Sequence, residues 1–206
     1  MGIYRTRILP RCMNAVMNTK ENDEIRSRVC ADLNGTVVEI GFGSGLNVPH
    51  YPSRVHTVHG VEPQGRSMAI AAKRIAASHA QVDHTGLTGE RIELPDASAD
   101  AVLSTWTLCS IPNVDAALAE IRRVLKPGGT LHFVEHGISP DPKVARRQNR
   151  IEPISKPLAG GCHLTRDIPS LITSAGFTIT TMTAFAHPKE PKPFGWTFEG
   201  RATISA

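Results

Sequence analysis

The chain has 206 residues, 40% hydrophobic and 20% charged, ordinary proportions for a soluble globular protein and enough length for one domain, residues 1–206, with a substantial core. The 23 lysines and arginines against 19 acidic residues leave a net charge of +4, too mild, without interleaved aromatics, to argue for a nucleic-acid partner. No run approaches the roughly 18 apolar residues of a membrane span and no secretory signal is read. The four cysteines lie far apart without C-x-x-C or matching histidine spacing, so neither zinc nor a disulfide framework is expected and a cytoplasmic setting is the simplest.

Between positions 3 and 33, Ile3, Ile8, Leu9, Met13, Val16, Met17, Ile25, Val29 and Leu33 recur mostly at helical spacing. They predict helices before the first strand, which either cover a sheet edge or help form a substrate pocket. Val37-Val38-Glu39-Ile40 then runs into Gly41, Gly43 and Gly45, the pattern of a buried parallel strand ending in a tight turn that a ligand approaches closely. A dinucleotide fingerprint would need its third glycine at position 46, where Leu46 stands. A short helix over Leu46–Tyr51, cut by Pro49 and Pro52, leaves backbone N–H groups free to meet an anionic group, with Asn47 placed to join them.

His56 to Glu62 reads as the second strand, and Glu62, about 20 residues beyond the glycine turn, is positioned to accept two ribose hydroxyls. A helix over Gly65–Ser78 and a third strand over Ala80–Leu87 follow. The fourth strand ends in Thr105-Trp106, at the carboxyl end where open α/β sheets bind ligands, although Trp106 also suits a core. A helix over Ala117–Leu125 stopped by Pro127-Gly128-Gly129, a fifth strand over Thr130–Glu135, and His136 just past its end complete the central pattern. Residues 137–162 turn polar and basic and read as a helical, lid-like insert. Thr165 is expected to cap the next helix, and two β-rich runs, Phe177–Phe185 and Phe194–Ile204, read as a closing antiparallel hairpin.

The E-x-G-x-G-x-G pattern from Glu39 to Gly45 resembles motif I of the class I S-adenosylmethionine-dependent methyltransferases, and Leu125-Lys126-Pro127-Gly128-Gly129 is similar to a second hallmark. Leu108-Cys109-Ser110, Glu135-His136 and the segment Gly161 to Asp167 resemble bacterial relatives of the methyltransferase-like thiol methyltransferases. The resemblance covers residues 36 to 205 and implies an α/β, Rossmann-like sheet of seven mostly parallel strands, helices on both faces and a terminal antiparallel strand. It implies S-adenosylmethionine as cofactor, held by Glu39, Gly41, Gly43, Gly45, Asn47, Glu62, Thr105 and Trp106. Glu90, in a segment similar to the family's G-D-A-E-x-L-P, falls at the position near the adenine amino group, although Arg91 and Ile92 depart from that pattern.

The implied reaction is methyl transfer to a small molecule, a thiol first, with a lipid or quinone acceptor as the alternative and a non-catalytic cofactor-binding module as a third reading. For a lipid headgroup such as phosphatidylethanolamine, the basic insert would be a peripheral membrane contact. A thiol acceptor needs its proton removed, and neutral imidazole can take it. His136 is the first choice as base and His163 the second; the plainer role for either is a hydrogen bond to the insert or a strand cap.

Overall fold

A computed structural model describes residues 8–63, 65–85 and 88–205. The positions before residue 8, where Ile3 falls, and Leu87 at the end of the expected third strand lie outside the described residues. Seven strands form one sheet: β1 (Gly35–Ile40), β2 (Val55–Val61), β3 (Gln81–His84), β4 (Ala99–Thr105), β5 (Leu125–His136), β6 (Phe177–Ala186) and β7 (Trp196–Ile204). Their order is β3-β2-β1-β4-β5-β7-β6. The first five are parallel, and β7 enters antiparallel between β5 and β6. The order reverses between β1 and β4, so the glycine turn and the loop after β4 meet at the topological switch point, where such sheets bind ligands.

Successive residues of the central strands face opposite cores, as the period of two requires. Val38 and Val102 pack on the side of α4 (Val114–Val124) and α6 (Ile168–Ser174), whereas Val37, Ala101 and Leu103 pack on the side of α2 (Lys20–Cys30) and α3 (Gly65–Ala76). Ahead of α2, α1 (Leu9–Met17) turns its buried Leu9 and Pro10 inward, and α5 (Pro142–Leu158) follows β5. None of the helices among the described residues is long and apolar enough to cross a membrane.

Several local expectations change. The short helix after the glycine turn is a single 3-10 turn, Val48–His50, because Pro49 and Pro52 leave no room for an α-helical ladder. Helix α4 ends at Val124, and Leu125 already pairs with Ala99, so Lys126-Pro127-Gly128-Gly129 forms an irregularity within β5 instead of a break between elements. The basic insert is one 17-residue helix, α5, that continues through Pro153 and Pro157. Asp167 caps α6, accepting from the Ser170 N–H at 3.2 Å, while Thr165 donates its hydroxyl to Glu152 at 2.7 Å.

Asp100 joins three elements: its carboxylate accepts from the Thr36 N–H at 2.8 Å and from Lys126 Nζ at 2.7 Å. Burial works against its charge, but Lys126 and the Thr36 N–H outweigh burial and hold its pKa below the usual carboxylate range. A depressed carboxylate pKa stabilises the fold above the unfolded value and loses that contribution as pH falls through the folded value. Asp100→Asn is therefore expected to cost about 1 kcal/mol at neutral pH in urea unfolding, with the gap from wild type closing below about pH 4.

Candidate active site

Three cavities adjoin at the carboxyl edge of the sheet, and Ser110 lines all of them. The first, of about 230 Å³, lies over the glycine turn and is lined by Gly41, Gly43, Asn47, Glu62, Thr105 and Trp106 together with α1 and Arg26. The second, of about 530 Å³, is lined by Gly89, Glu90, Ile111 and His163. The third, of about 380 Å³, is the most apolar and is lined by Met13, Val16, Trp106, Cys109, His136, Cys162, Leu164 and Phe194.

The glycine turn is built for close approach. Gly41 has φ +70°, and a Cβ there would overlap the Thr107 side chain, its hydroxyl oxygen at 2.1 Å. Gly43 has φ +55°, and a Cβ would meet nothing nearer than the Gly41 carbonyl at 3.6 Å, leaving open cavity beside its backbone. The Gly43 N–H donates to Glu62 Oε2 at 2.9 Å, so the turn and the end of β2 are tied directly. Gly45 also carries a positive φ, +72°.

Beneath the turn, Glu39 is buried and accepts from Asn47 Nδ2 at 2.9 Å and from the Tyr51 hydroxyl. Asn47 Nδ2 also donates to Thr105 Oγ1 at 2.9 Å, linking the β1 and β4 ends. Burial pushes the Glu39 pKa up to about 7 against those two hydrogen bonds. Glu39 thus supports the turn from below, Asn47 and Thr105 share the wall above it, and Glu62 reaches the cavity itself.

Trp106 leaves β4 with φ +50°, a backbone state costly for an aromatic residue and concentrated at functional sites. Its ring divides the first cavity from the third, packs under the Arg26 guanidinium at 4.8 Å, and carries a buried Nε1 without a hydrogen-bond partner among the described residues. Arg26 is itself buried: Nη1 donates to the Met17 carbonyl at 3.0 Å, and Nε is unpartnered among the described residues. Burial pushes its pKa down to about 10, opposed by Asp23 and Glu39, so it stays cationic at neutral pH. A buried cation with an orphaned N–H suits an anionic ligand group.

The loop after β4 is held on two sides. Glu135 Oε1 accepts from Ser104 Oγ at 2.6 Å and from the N–H groups of Thr107 and Leu108 at 3.1 and 3.0 Å, while Oε2 accepts from the Cys109 N–H at 3.0 Å. Arg166 donates to the carbonyls of Leu108 and, at 2.6 Å, Ile111. Glu90, which lines the second cavity, accepts from the Asn113 N–H at 2.7 Å at the far end of the same loop.

The two candidate histidines fall in different cavities. His163 lines the second, with Nδ1 3.1 Å from Glu152 Oε1; burial, then Arg166 and Lys156, lower its pKa. His136 stands at the head of the apolar cavity, with Nδ1 3.7 Å from Cys162 Sγ and Nε2 3.3 Å from Glu190 Oε2, outside hydrogen-bond geometry. Cys162 Sγ lies 3.5 Å from Cys109 Sγ. Burial disfavours charge on His136, but Cys109 and Glu190 outweigh it and raise its pKa, to about 10. Cys109 is pushed up as well, by Cys162 and by burial. Cys109 and Glu190 are thus the groups that face the His136 ring, which the sequence analysis names as first choice for the base.

Residues 38–133 match the family described as a methyltransferase domain. Thiol S-methyltransferase TMT1B of Homo sapiens is 30% identical over 200 residues, covering 94% of this chain and 80% of the human protein. Its Rattus norvegicus counterpart is 35% identical over 165 residues, covering 78% of this chain and 65% of the rat protein, just under two thirds of its length. A SAM-dependent methyltransferase from Thermotoga maritima superposes with a TM-score of 0.71 at 24% identity, covering 98% of both chains, which establishes the fold. The chain belongs to the class I S-adenosylmethionine-dependent methyltransferases. It is an enzyme of that class, and S-adenosylmethionine is its methyl donor.

Two substitutions test whether the glycine-turn cavity holds the methyl donor. Gly43→Val places a β-branched residue in the left-handed region and fills the open space, so calorimetric affinity for S-adenosylmethionine is expected to drop on the order of 100-fold or more. Glu62→Ala is expected to weaken it by about 1–3 kcal/mol, with exposed Glu93→Ala near wild type as the control.

Proposed function

We propose that this enzyme S-methylates a small, apolar thiol that enters the third cavity. The observation that carries the reading is the makeup of that cavity: apolar walls from Met13, Val16, Leu164 and Phe194, headed by Cys109, His136 and Cys162 and separated from the glycine-turn cavity by Trp106. The thiol S-methyltransferases among the relatives support it.

The residues fit the methyl donor. Gly43 leaves room for close backbone approach, Glu62 offers a carboxylate to ribose hydroxyls, and Arg26 offers its unpartnered N–H to the amino-acid carboxylate. Gly41, Gly45, Asn47 and Thr105 shape the turn on which they act, with Glu39 beneath, and Glu90 lines the neighbouring cavity as the adenine contact. When bound, S-adenosylmethionine supplies an electrophilic methyl group on a sulfonium. The chain's own part is to hold the acceptor sulfur in line behind Trp106 and to exclude water; alignment of this kind contributes on the order of 7–11 kcal/mol.

His136 is the group at the acceptor's end of this cavity, held beside Glu190, and it assists ionisation of the acceptor sulfur; His163, beside Glu152, works at the cofactor's rim. The C-terminal end of α5 and the turn after it line all three cavities through Ser155, Lys156, Ala159 and Gly160, and we assign them the lid function. A cytoplasmic setting, where thiols stay reduced, suits both the acceptor and the free cysteines.

An acceptor screen with labelled S-adenosylmethionine tests this reading. Apolar alkyl and aryl thiols are expected to be methylated ahead of phenols and amines. His136→Ala is expected to lower kcat for alkyl thiols roughly 10²–10⁴-fold while cofactor affinity stays within about twofold of wild type. Methylation of phosphatidylethanolamine but of no thiol would reject the assignment.

A further inference from the structure

The head of the acceptor cavity brings together three soft or borderline donors that direct methyl transfer does not require as a set. Cys109 Sγ, Cys162 Sγ and a ring nitrogen of His136 all lie within 4.8 Å of one another, with Sγ–Sγ 3.5 Å and Cys162 Sγ to Nδ1 3.7 Å. An ion with metal–sulfur bonds of about 2.3 Å and metal–nitrogen bonds of about 2.0–2.1 Å in tetrahedral array needs donor separations close to these. The two cysteines are buried, and all three donors line a cavity through which an ion and a ligand can enter.

The surroundings complete the pattern. The other nitrogen of His136, Nε2, lies 3.3 Å from Glu190 Oε2, so a small rotation of either side chain would give the carboxylate-histidine hydrogen bond that orients a metal-binding imidazole. Glu190 Oε1 lies 3.9 Å from His187 Nδ1, so the same loop supplies the outer contacts. Cys109 is fixed through its backbone N–H on Glu135 at 3.0 Å, and the His163 N–H donates to the Cys109 carbonyl at 2.8 Å, so the loops carrying the two sulfurs are joined.

We propose that Cys109, Cys162 and His136 form a Cys2His zinc site whose fourth position faces the apolar cavity and takes the acceptor thiol as a thiolate. The proposal rests on the thiol reading above and extends it. Three protein ligands and one open position distinguish reactive zinc sites from structural ones, which close with four. The ion displaces the protons of the two cysteine thiols. The acceptor's S–H bond then breaks, its proton goes to solvent, and a zinc–sulfur bond forms. The site, neutral with two thiolates and a neutral imidazole, becomes singly negative and so attracts a sulfonium. After methylation the acceptor is an uncharged thioether, a poor ligand, and departs.

Cobalt(II) serves as the probe, because thiolate ligation gives it a charge-transfer band and tetrahedral coordination gives strong visible bands, both independent of turnover. The reduced, full-length protein is expected to bind one equivalent, displaced stoichiometrically by zinc, and the bands are expected to shift when an alkyl thiol is added. Cys109→Ser and Cys162→Ser should each lose at least about 100-fold in metal affinity, while Cys12→Ser, an exposed cysteine away from the cluster, keeps it. Unchanged S-adenosylmethionine binding by each variant shows that it is folded. Absence of cobalt bands in the wild type, or bands unaltered in both cluster variants, overturns the site; thiol methylation persisting in that case leaves the acceptor assignment standing. Cobalt bands that ignore added thiol overturn the open-position role.

Discussion

The active site depends on one buried carboxylate. Glu135, next to last in β5, is fully enclosed, and its two oxygens collect four donors: the Ser104 hydroxyl and the N–H groups of Thr107, Leu108 and Cys109. Burying a carboxylate is costly unless its hydrogen-bonding capacity is filled, and here it is filled by the backbone of the loop it shapes. Arg166 takes the carbonyls of the same loop from the other side. Between these two charges the chain passes from the strained Trp106 to Ser110, the residue common to all three cavities. The division between the glycine-turn cavity and the apolar cavity follows from how that loop is pinned.

A second network shapes the glycine-turn cavity. Glu39 holds Asn47 and Tyr51, Asn47 reaches Thr105, and the Gly43 N–H meets Glu62, so the ends of β1, β2 and β4 are coupled through side chains as well as sheet hydrogen bonds. Arg74 of α3 donates to both the Ser44 carbonyl and Asn14 of α1, docking the N-terminal helix over the turn. The early helices therefore supply cavity walls, Met13 and Met17 among them, in addition to covering the sheet.

What the sequence reveals is what lies close along the chain. The glycine turn, its preceding strand and Glu62 are legible because strand period, glycine spacing and the distance to the next strand's end are local signals, and the family resemblance those motifs carry implies the seven mostly parallel strands, though not their order. The charges that fix the site are less so. Arg26 sits in α2 among Lys20, Glu21, Asp23, Glu24 and Arg28, where a solvated arginine is the ordinary reading, and only the docking of that helix against Trp106 buries it. Glu135 gives a faint signal, a carboxylate closing an apolar run, but its donors come from β4 and the loop after it. Cys109 and Cys162 are 53 residues apart and become neighbours only because the β4 loop and the segment after α5 converge on one sheet edge. Spacing rules for metal sites cannot find such a set, and for the same reason they give no sign that His136 and His163 fall in separate cavities.

The proposed function divides labour at this edge: cofactor over the glycine turn, acceptor sulfur behind Trp106. A crystal structure of the protein with S-adenosylhomocysteine and an apolar alkyl thiol, a pair that cannot react, measures the division directly. The predicted result is the adenosyl group between Glu62 and Glu90, the amino-acid carboxylate at Arg26, and the thiol sulfur among Cys109, His136 and Cys162. A thiol lodged instead beside Glu90 and His163, or a cofactor product bound away from Gly43, would contradict it.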